Sequence, residues 1–219
     1  MKEKLKQLIS IQSMMALVSF VLLSILTIQT SAIAQNTAPV PQTGQTQSYA
    51  AGDDGDLQIG VQWPDPRFTD NGDGTVTDNL TELIWLKNAD CFGSKDWLGA
   101  LNASNNLANG QCGLSDGSIL GDWRLSNVRE LRSLIDHGQF EPPLPSGNPF
   151  INVPLDDYWS STTVPDFTDD AWIVLIGSGG DIGFTFGQVR NEPKDSFYRV
   201  WPVRDEYQVL IDGDGGGGT

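Results

Sequence analysis

All seven tryptophans of this 219-residue chain fall between Trp63 and Trp201. Rings of that size need a packed interior to bury them, so one stretch has to carry the core. That stretch is assigned here to residues 60–205. A segment of this size buries roughly two-thirds of its unfolded surface and can fold alone. No self-similarity at periods of roughly 20–50 residues runs through it, which excludes solenoids and propellers.

The flanks read differently. Lys2, Lys4 and Lys6 open the chain, Met14 to Ile28 is apolar except for Ser19, Ser24 and Thr27, and Ala32-Ile33-Ala34 follows. This is the order of a bacterial-style secretory signal, with small residues where a signal peptidase cuts. The apolar run is shorter than the roughly 20 residues of a spanning helix. Residues 1–34 are therefore expected to be removed, leaving an exported chain, periplasmic or extracellular, with no membrane attachment. Residues 35–59 are rich in Gln, Thr, Pro, Ser, Ala and Gly without apolar period, and read as a flexible linker. Residues 206–219 read as a disordered, acidic, Gly-rich tail.

Loss of the signal leaves 10 basic against 27 acidic residues, a net charge of −17, with 22 of the acids Asp. Such a field repels polyanions and argues against nucleic acid as a partner. One His and two Cys are too few for a zinc site built from those residues. In an exported chain an even pair of cysteines, Cys91 and Cys112, is expected to form a disulfide. A catalytic thiol is the competing reading, but neither Cys has a base near it in sequence, and the sole His, His137, is distant.

Asp70-Asn71-Gly72-Asp73-Gly74 sits between Arg67-Phe68-Thr69 and Thr75-Val76-Thr77. Asn-Gly and Asp-Gly supply the positive φ of tight hairpin turns, so a hairpin is expected. An EF-hand register would put Thr69 at its first position and Leu80 where a bidentate Glu belongs, which excludes that motif. Asp70, Asp73 and Asp78 remain candidates for a looser calcium site, calcium being the one cofactor these side chains suggest. Leu83 to Leu86 reads as a buried strand. A helix capped by Ser94 is expected next, with Trp97, Leu98, Ala100, Leu101, Leu107 and Ala108 on its apolar side and its end at Gly110. Asn127 followed by Glu130 predicts a capping box for a second helix, with Val128, Leu131, Leu134 and Ile135 as its buried face and Gly138 as its stop. Arg129 and Arg132 fall on the other face, solvated or paired with Asp136.

Five prolines between 139 and 156 forbid a regular element there and predict a long loop anchored by Phe140, Phe150 and Ile151. Strands are expected at 158–163 and 171–176, with a Gly-rich turn at 177–181 into another strand at 183–186. A last strand at 198–204 closes the sheet. Each Trp is expected to be core, Trp159 and Trp172 above all.

These segments together resemble a known family. Arg67 to Asp78 with Trp85 behind it, Gly121-Asp122-Trp123-Arg124-Leu125, Glu130-Leu131, Tyr158-Trp159-Ser160-Ser161-Thr162 and Val200 to Arg204 are similar, in that order, to the C-terminal domain of the Legionella collagen-like protein. The Arg124-to-Glu130 entry is also similar to formylglycine-generating-enzyme-like domains. Those likenesses imply an α+β, C-type-lectin-like fold with two helices, a twisted and mainly antiparallel sheet, and long loops. The oxidase activity of the second group does not transfer, since no Cys follows Cys112. The namesake of the first is implied to be a surface adhesin for sulfated polysaccharide. Its trimerising collagen Gly-x-y stretch is absent from this chain, and the acid excess argues against heparin-like ligands.

The expected function is accordingly a secreted, non-catalytic, adhesin-like binding module for a glycan or a cell-surface protein; no feature of the sequence sets an oligomeric state. Aromatic faces stack on sugars, and Asp hydrogen-bonds hydroxyls or holds calcium. Asp156, Asp157, Asp166, Asp169 and Asp170 around the 158–163 strand, with Arg124 and Arg199, are the candidate ligand residues. Arg129, Arg132 and Arg204 would extend Arg124 and Arg199 into a basic patch. Two alternatives remain open: a hydrolase using a pair of carboxylates, and a structural or assembly protein of the cell surface.

Overall fold

In the computed structural model, residues 40–177 and 187–205 are described. The signal-like start, the C-terminal tail, most of the Gly-rich turn and the strand expected at 183–186 lie outside them.

Among the described residues, two five-stranded, mostly antiparallel sheets and three short helices make up the α+β fold. In chain order the elements are α1 (Asp54–Leu57), β1 (Phe68–Asp70), β2 (Thr75–Asp78), β3 (Leu83–Leu86), β4 (Ser94–Lys95), α2 (Trp97–Asn105), β5 (Arg124–Leu125), α3 (Val128–Ser133), β6 (Asp157–Val164), β7 (Phe167–Leu175), β8 (Val189–Pro193), β9 (Tyr198–Arg199) and β10 (Pro202–Asp205). The first sheet runs β1-β2-β3-β10-β5, antiparallel throughout. The second runs β4-β9-β6-β7-β8, with one parallel contact where Tyr158 meets Arg199.

The β1–β2 hairpin forms at the Asn-Gly-Asp-Gly turn as its sequence dictates. Gly74 is fixed there twice over: its φ is +89°, and a Cβ would fall 2.4 Å from the Gly113 carbonyl oxygen. β3 is the buried strand expected from its apolar run. The final segment does not close a single sheet. Its first part, β9, joins the second sheet and its last part, β10, the first. Its side chains divide between the two clusters: Val200 packs with Trp159 and Ile173, while Trp201 and Val203 pack with Trp85 and Leu86.

The core divides accordingly. Trp85, Trp123 and Trp201 lie in the larger cluster with Tyr158, Val174 and the helix residues Leu131 and Leu134; Trp159 lies in the smaller one, with Ala100, Leu125 and Ala171. These four tryptophans are fully buried. Trp63, Trp97 and Trp172 are only half-buried, Trp172 because it stands where β7 runs out toward its exposed end.

Both helices begin close to where expected and end early. Ser94 does not cap α2, because it is paired with Arg199 in β4; the cap is Asp96, which accepts the Gly99 N–H at 2.7 Å. The helix ends at Asn105; Asn106 and Leu107 still donate back to the Asn102 and Ser104 carbonyls, and by Asn109 the backbone has left it, its N–H going to the Ser118 carbonyl. α3 has the full capping box, with Asn127 accepting from Arg129 and Glu130 while Glu130 accepts the Asn127 N–H. It stops at Ser133, well before Gly138. The N–H groups of Asp136 and His137 are taken by the Pro143 and Thr43 carbonyls and so are lost to the helix. In the Pro-rich loop Phe150 and Leu144 are the buried anchors; Phe140 is exposed, and Ile151 is held by its backbone against Lys87 and Ala89.

Residues 40–59, expected as linker, carry a helix and backbone pairing. Asp53 caps α1, and Gln42 and Val61 exchange bonds with their neighbours across the Pro41–Val61 bridge. The composition hid this because the contacts that hold the segment come from residues up to 94 positions away, as in His137 N–H to the Thr43 carbonyl.

Candidate functional site

Cys91 and Cys112 form the disulfide expected of them. It ties the end of the β3 loop to the loop that packs on Gly74.

The seven candidate ligand residues do not share one surface. Asp156 and Asp157 stand at the head of β6 with Arg199. Arg199 Nη1 is 2.6 Å from Asp90 and its Nε 2.8 Å from Asp156, while Asp157 pairs with Arg190. A cleft of about 330 Å³ opens beside them, lined by Asp90, Asn152, Val153 and Pro154. Burial raises Asp157 to about 6, with Asp156 and Glu192 adding to the rise and Arg190 opposing it. Asp166, Asp169 and Asp170 belong to the far end of the β6–β7 hairpin, where Asp170 accepts from Asn191 at 2.7 Å. Arg124 is in the other sheet, clamped by Glu130 at 2.7 and 2.9 Å and by Asp205 at 3.1 Å.

The calcium candidates are spent on separate partners. Asp78 is buried under a bidentate pair with Arg67, at 2.7 and 2.9 Å, and also accepts from Leu80 and Thr81. Asp70 pairs with Lys87, and Asp73 caps Thr75. Among the described residues no group of three or more His, Cys, Asp or Glu side chains could hold a metal ion.

A different surface has the makings of a binding site. Five of the seven arginines are in salt bridges: Arg67, Arg124, Arg190, Arg199 and Arg204. The other two, Arg129 and Arg132, have no carboxylate partner among the described residues and are exposed, one turn apart on α3. They do not pair with Asp136, which is buried and accepts the Gly138 N–H at 2.8 Å. Burial holds Asp136 above the usual carboxylate range against the pull of that bond, His137 and Arg67.

Both arginines line a groove of about 510 Å³ together with Trp63, His137, Gln42 and Thr43. Trp63 is held from two sides. Its Nε1–H donates to the Gln42 carbonyl at 2.8 Å, and the Arg67 guanidinium stacks 4.6 Å from its ring centre. Arg67 in turn donates to the Ser133 carbonyl at the end of α3. The buried Arg67–Asp78 pair thereby fixes both the aromatic wall of the groove and the helix that carries its cations. A flat indole beside two unneutralised guanidinium forks can hold a ring by its face and an oxyanion by paired hydrogen bonds.

The sequence groups Arg129 and Arg132 in one basic patch with Arg124, Arg199 and Arg204, which are paired with carboxylates. The position of Arg129 and Arg132 after a capping box, three apart and away from the apolar face, was the available signal. Trp63 and His137 carried none, since what makes Trp63 a groove wall is Gln42 and Arg67, and what brings His137 there is Thr43.

The model of the Lcl C-terminal domain family matches residues 74–204. No curated protein matches the chain.

Proposed function

The chain belongs to the Lcl C-terminal domain family, and from that premise we propose that it is an exported, non-catalytic module of the cell surface that binds a glycan carrying acidic groups. The observation that carries this reading is the pairing of Trp63 with Arg129 and Arg132, the two arginines left without a carboxylate partner among the described residues, in a chain where acids exceed bases more than two to one. A ligand that brings its own carboxylate or sulfate uses these forks, and its sugar ring uses the indole. The overall negative field makes the attraction local, so short acidic oligosaccharides fit better than long polyanions.

A C-type-lectin-like plan belongs to the same reading, supported by a capped helix preceding a late antiparallel sheet. Export is supported by the disulfide, which suits an oxidising compartment. Among the described residues no helix is long and apolar enough to cross a membrane. An oligosaccharide array probed with the exported chain, with and without calcium, tests the proposal. Uronate- or sulfate-bearing members should bind, neutral counterparts should stay silent, and chelation should change nothing. Silence across the array, or calcium-dependent binding of neutral sugars, would reject it. Acidic peptides spotted alongside separate a glycan from a cell-surface protein as the source of the acidic group.

A further inference from the structure

Part of the groove comes from outside the segment that the family model covers. The matched region, 74–204, supplies Arg129, Arg132 and His137; Gln42, Thr43 and Trp63 precede it. We infer that Gly44 is a positioning residue of this site: it seats residues 40–63 as a strap, and the strap completes a groove whose cations come from α3. The ligand part of this inference rests on the reading above; the strap itself does not.

Three observations carry it. The strap is fastened at several points: Val61 N–H to the Val40 carbonyl at 2.8 Å, Gln42 N–H to the Val61 carbonyl at 3.0 Å, His137 N–H to the Thr43 carbonyl at 2.9 Å and Trp63 Nε1–H to the Gln42 carbonyl at 2.8 Å. Next to these bonds Gly44 has φ +88°, and a Cβ on it would fall 2.2 Å from Asp136 Oδ1 and 2.7 Å from the Trp63 ring. Neither neighbour is a loose chain end. Asp136 is buried and its Oδ1 is held by the Gly138 N–H, and Trp63 is stacked by Arg67. The fit is tight from the opposite side as well, since a Cβ on Gly138 would fall 2.6 Å from the Gly44 carbonyl oxygen. A side chain at either glycine must push the strap outward and draw Trp63 and Thr43 away from the arginines.

Gly52 provides the control. It lies in the same segment with φ +84°, yet a Cβ there would meet nothing within 4 Å. The experiment compares G44A, G138A and G52A with the unmodified exported chain by NMR. Hydrogen exchange of the Trp63 indole N–H is read first, with no ligand present. It should speed up by about ten-fold or more in G44A and G138A and stay near the unmodified rate in G52A. Inorganic sulfate and a uronate-bearing tetrasaccharide are then titrated. In G44A the sulfate response at α3 should persist, and the tetrasaccharide should weaken by about ten-fold, because the cations remain and the aromatic wall has moved.

Unchanged indole exchange in G44A and G138A overturns the inference. So does an equal loss of sulfate and tetrasaccharide, which would mean that the substitution merely damages the fold. G138A keeps the test alive if G44A does not fold. If the unmodified chain ignores the tetrasaccharide while G44A still exposes the indole, the glycan reading fails and the strap stands.

Discussion

Asp157 is where a single residue's chemistry reaches the stability of the chain. Its side chain is nine-tenths buried beside Arg190, and burial outweighs that partner, raising it to about 6 from an ordinary 3.8. The folded state therefore binds a proton that the unfolded state does not, between about pH 4 and 6. The sign follows from that: stability from this group is full below the unfolded value and is lost as pH rises through the folded one. Asp157→Asn removes the titration. Between pH 7 and pH 4 the stability difference between the unmodified chain and D157N should move in favour of the unmodified chain, by about 2 kcal/mol. Urea unfolding of both proteins at several pH values measures this difference, in which the other carboxylates cancel. A pH-independent difference would show that Arg190 neutralises the burial.

At the scale of elements, α3 links local sequence to the groove. Its capping box spans four residues, and Glu130 serves twice, as the box partner of Asn127 and as the clamp on Arg124. Asn127→Ala should lower stability by about 1 kcal/mol. It should also weaken acidic-oligosaccharide binding, because Arg129 and Arg132 lie in the helix it caps; intact affinity would show that the tertiary contacts of Leu131 and Leu134 alone hold the helix.

What could be read beforehand follows the same divide between near and far partners. The β1–β2 hairpin, β3 and this cap depend on residues a few positions apart, and all were legible. The cap of α2 is expected at Ser94 but falls at Asp96, because Ser94 is claimed by β9, about a hundred residues on. The closing strand was read as one because nothing local announces that Val200-Trp201 passes between two sheets. The candidate ligand residues scatter for the same reason. Asp156 and Arg199 do meet, but Asp166, Asp169 and Asp170 are separated from them by the length of β6, and the groove wall at Trp63 depends on Gln42, 21 positions earlier.

At the scale of the whole molecule, one covalent link and a surplus of acid set the terms. The Cys91–Cys112 bond closes a sequence separation of 21. Replacing both cysteines by Ser should cost about 3 kcal/mol by the chain-entropy account, visible as a lower denaturation midpoint with the groove's ligand specificity retained. A stability unchanged by the double replacement would mean that the loop around Gly113 is fixed by its packing on Gly74 alone. The surplus of acid explains why a usable cationic site must be local: among the described residues most basic side chains are already answered by carboxylates, and Arg129 and Arg132 are the arginines that are not.

The most direct measurement is calorimetric titration of a uronate-bearing tetrasaccharide into the exported chain and into R129Q, R132Q and K87Q, the last removing a charge that Asp70 already answers. R129Q and R132Q should each lose affinity by about ten-fold, the worth of one charge-assisted hydrogen bond, while K87Q stays within about two-fold of the unmodified chain. Equal losses in all three would mean that only net charge matters, and undiminished binding by R129Q and R132Q would place the ligand elsewhere; either result contradicts the groove as the binding site.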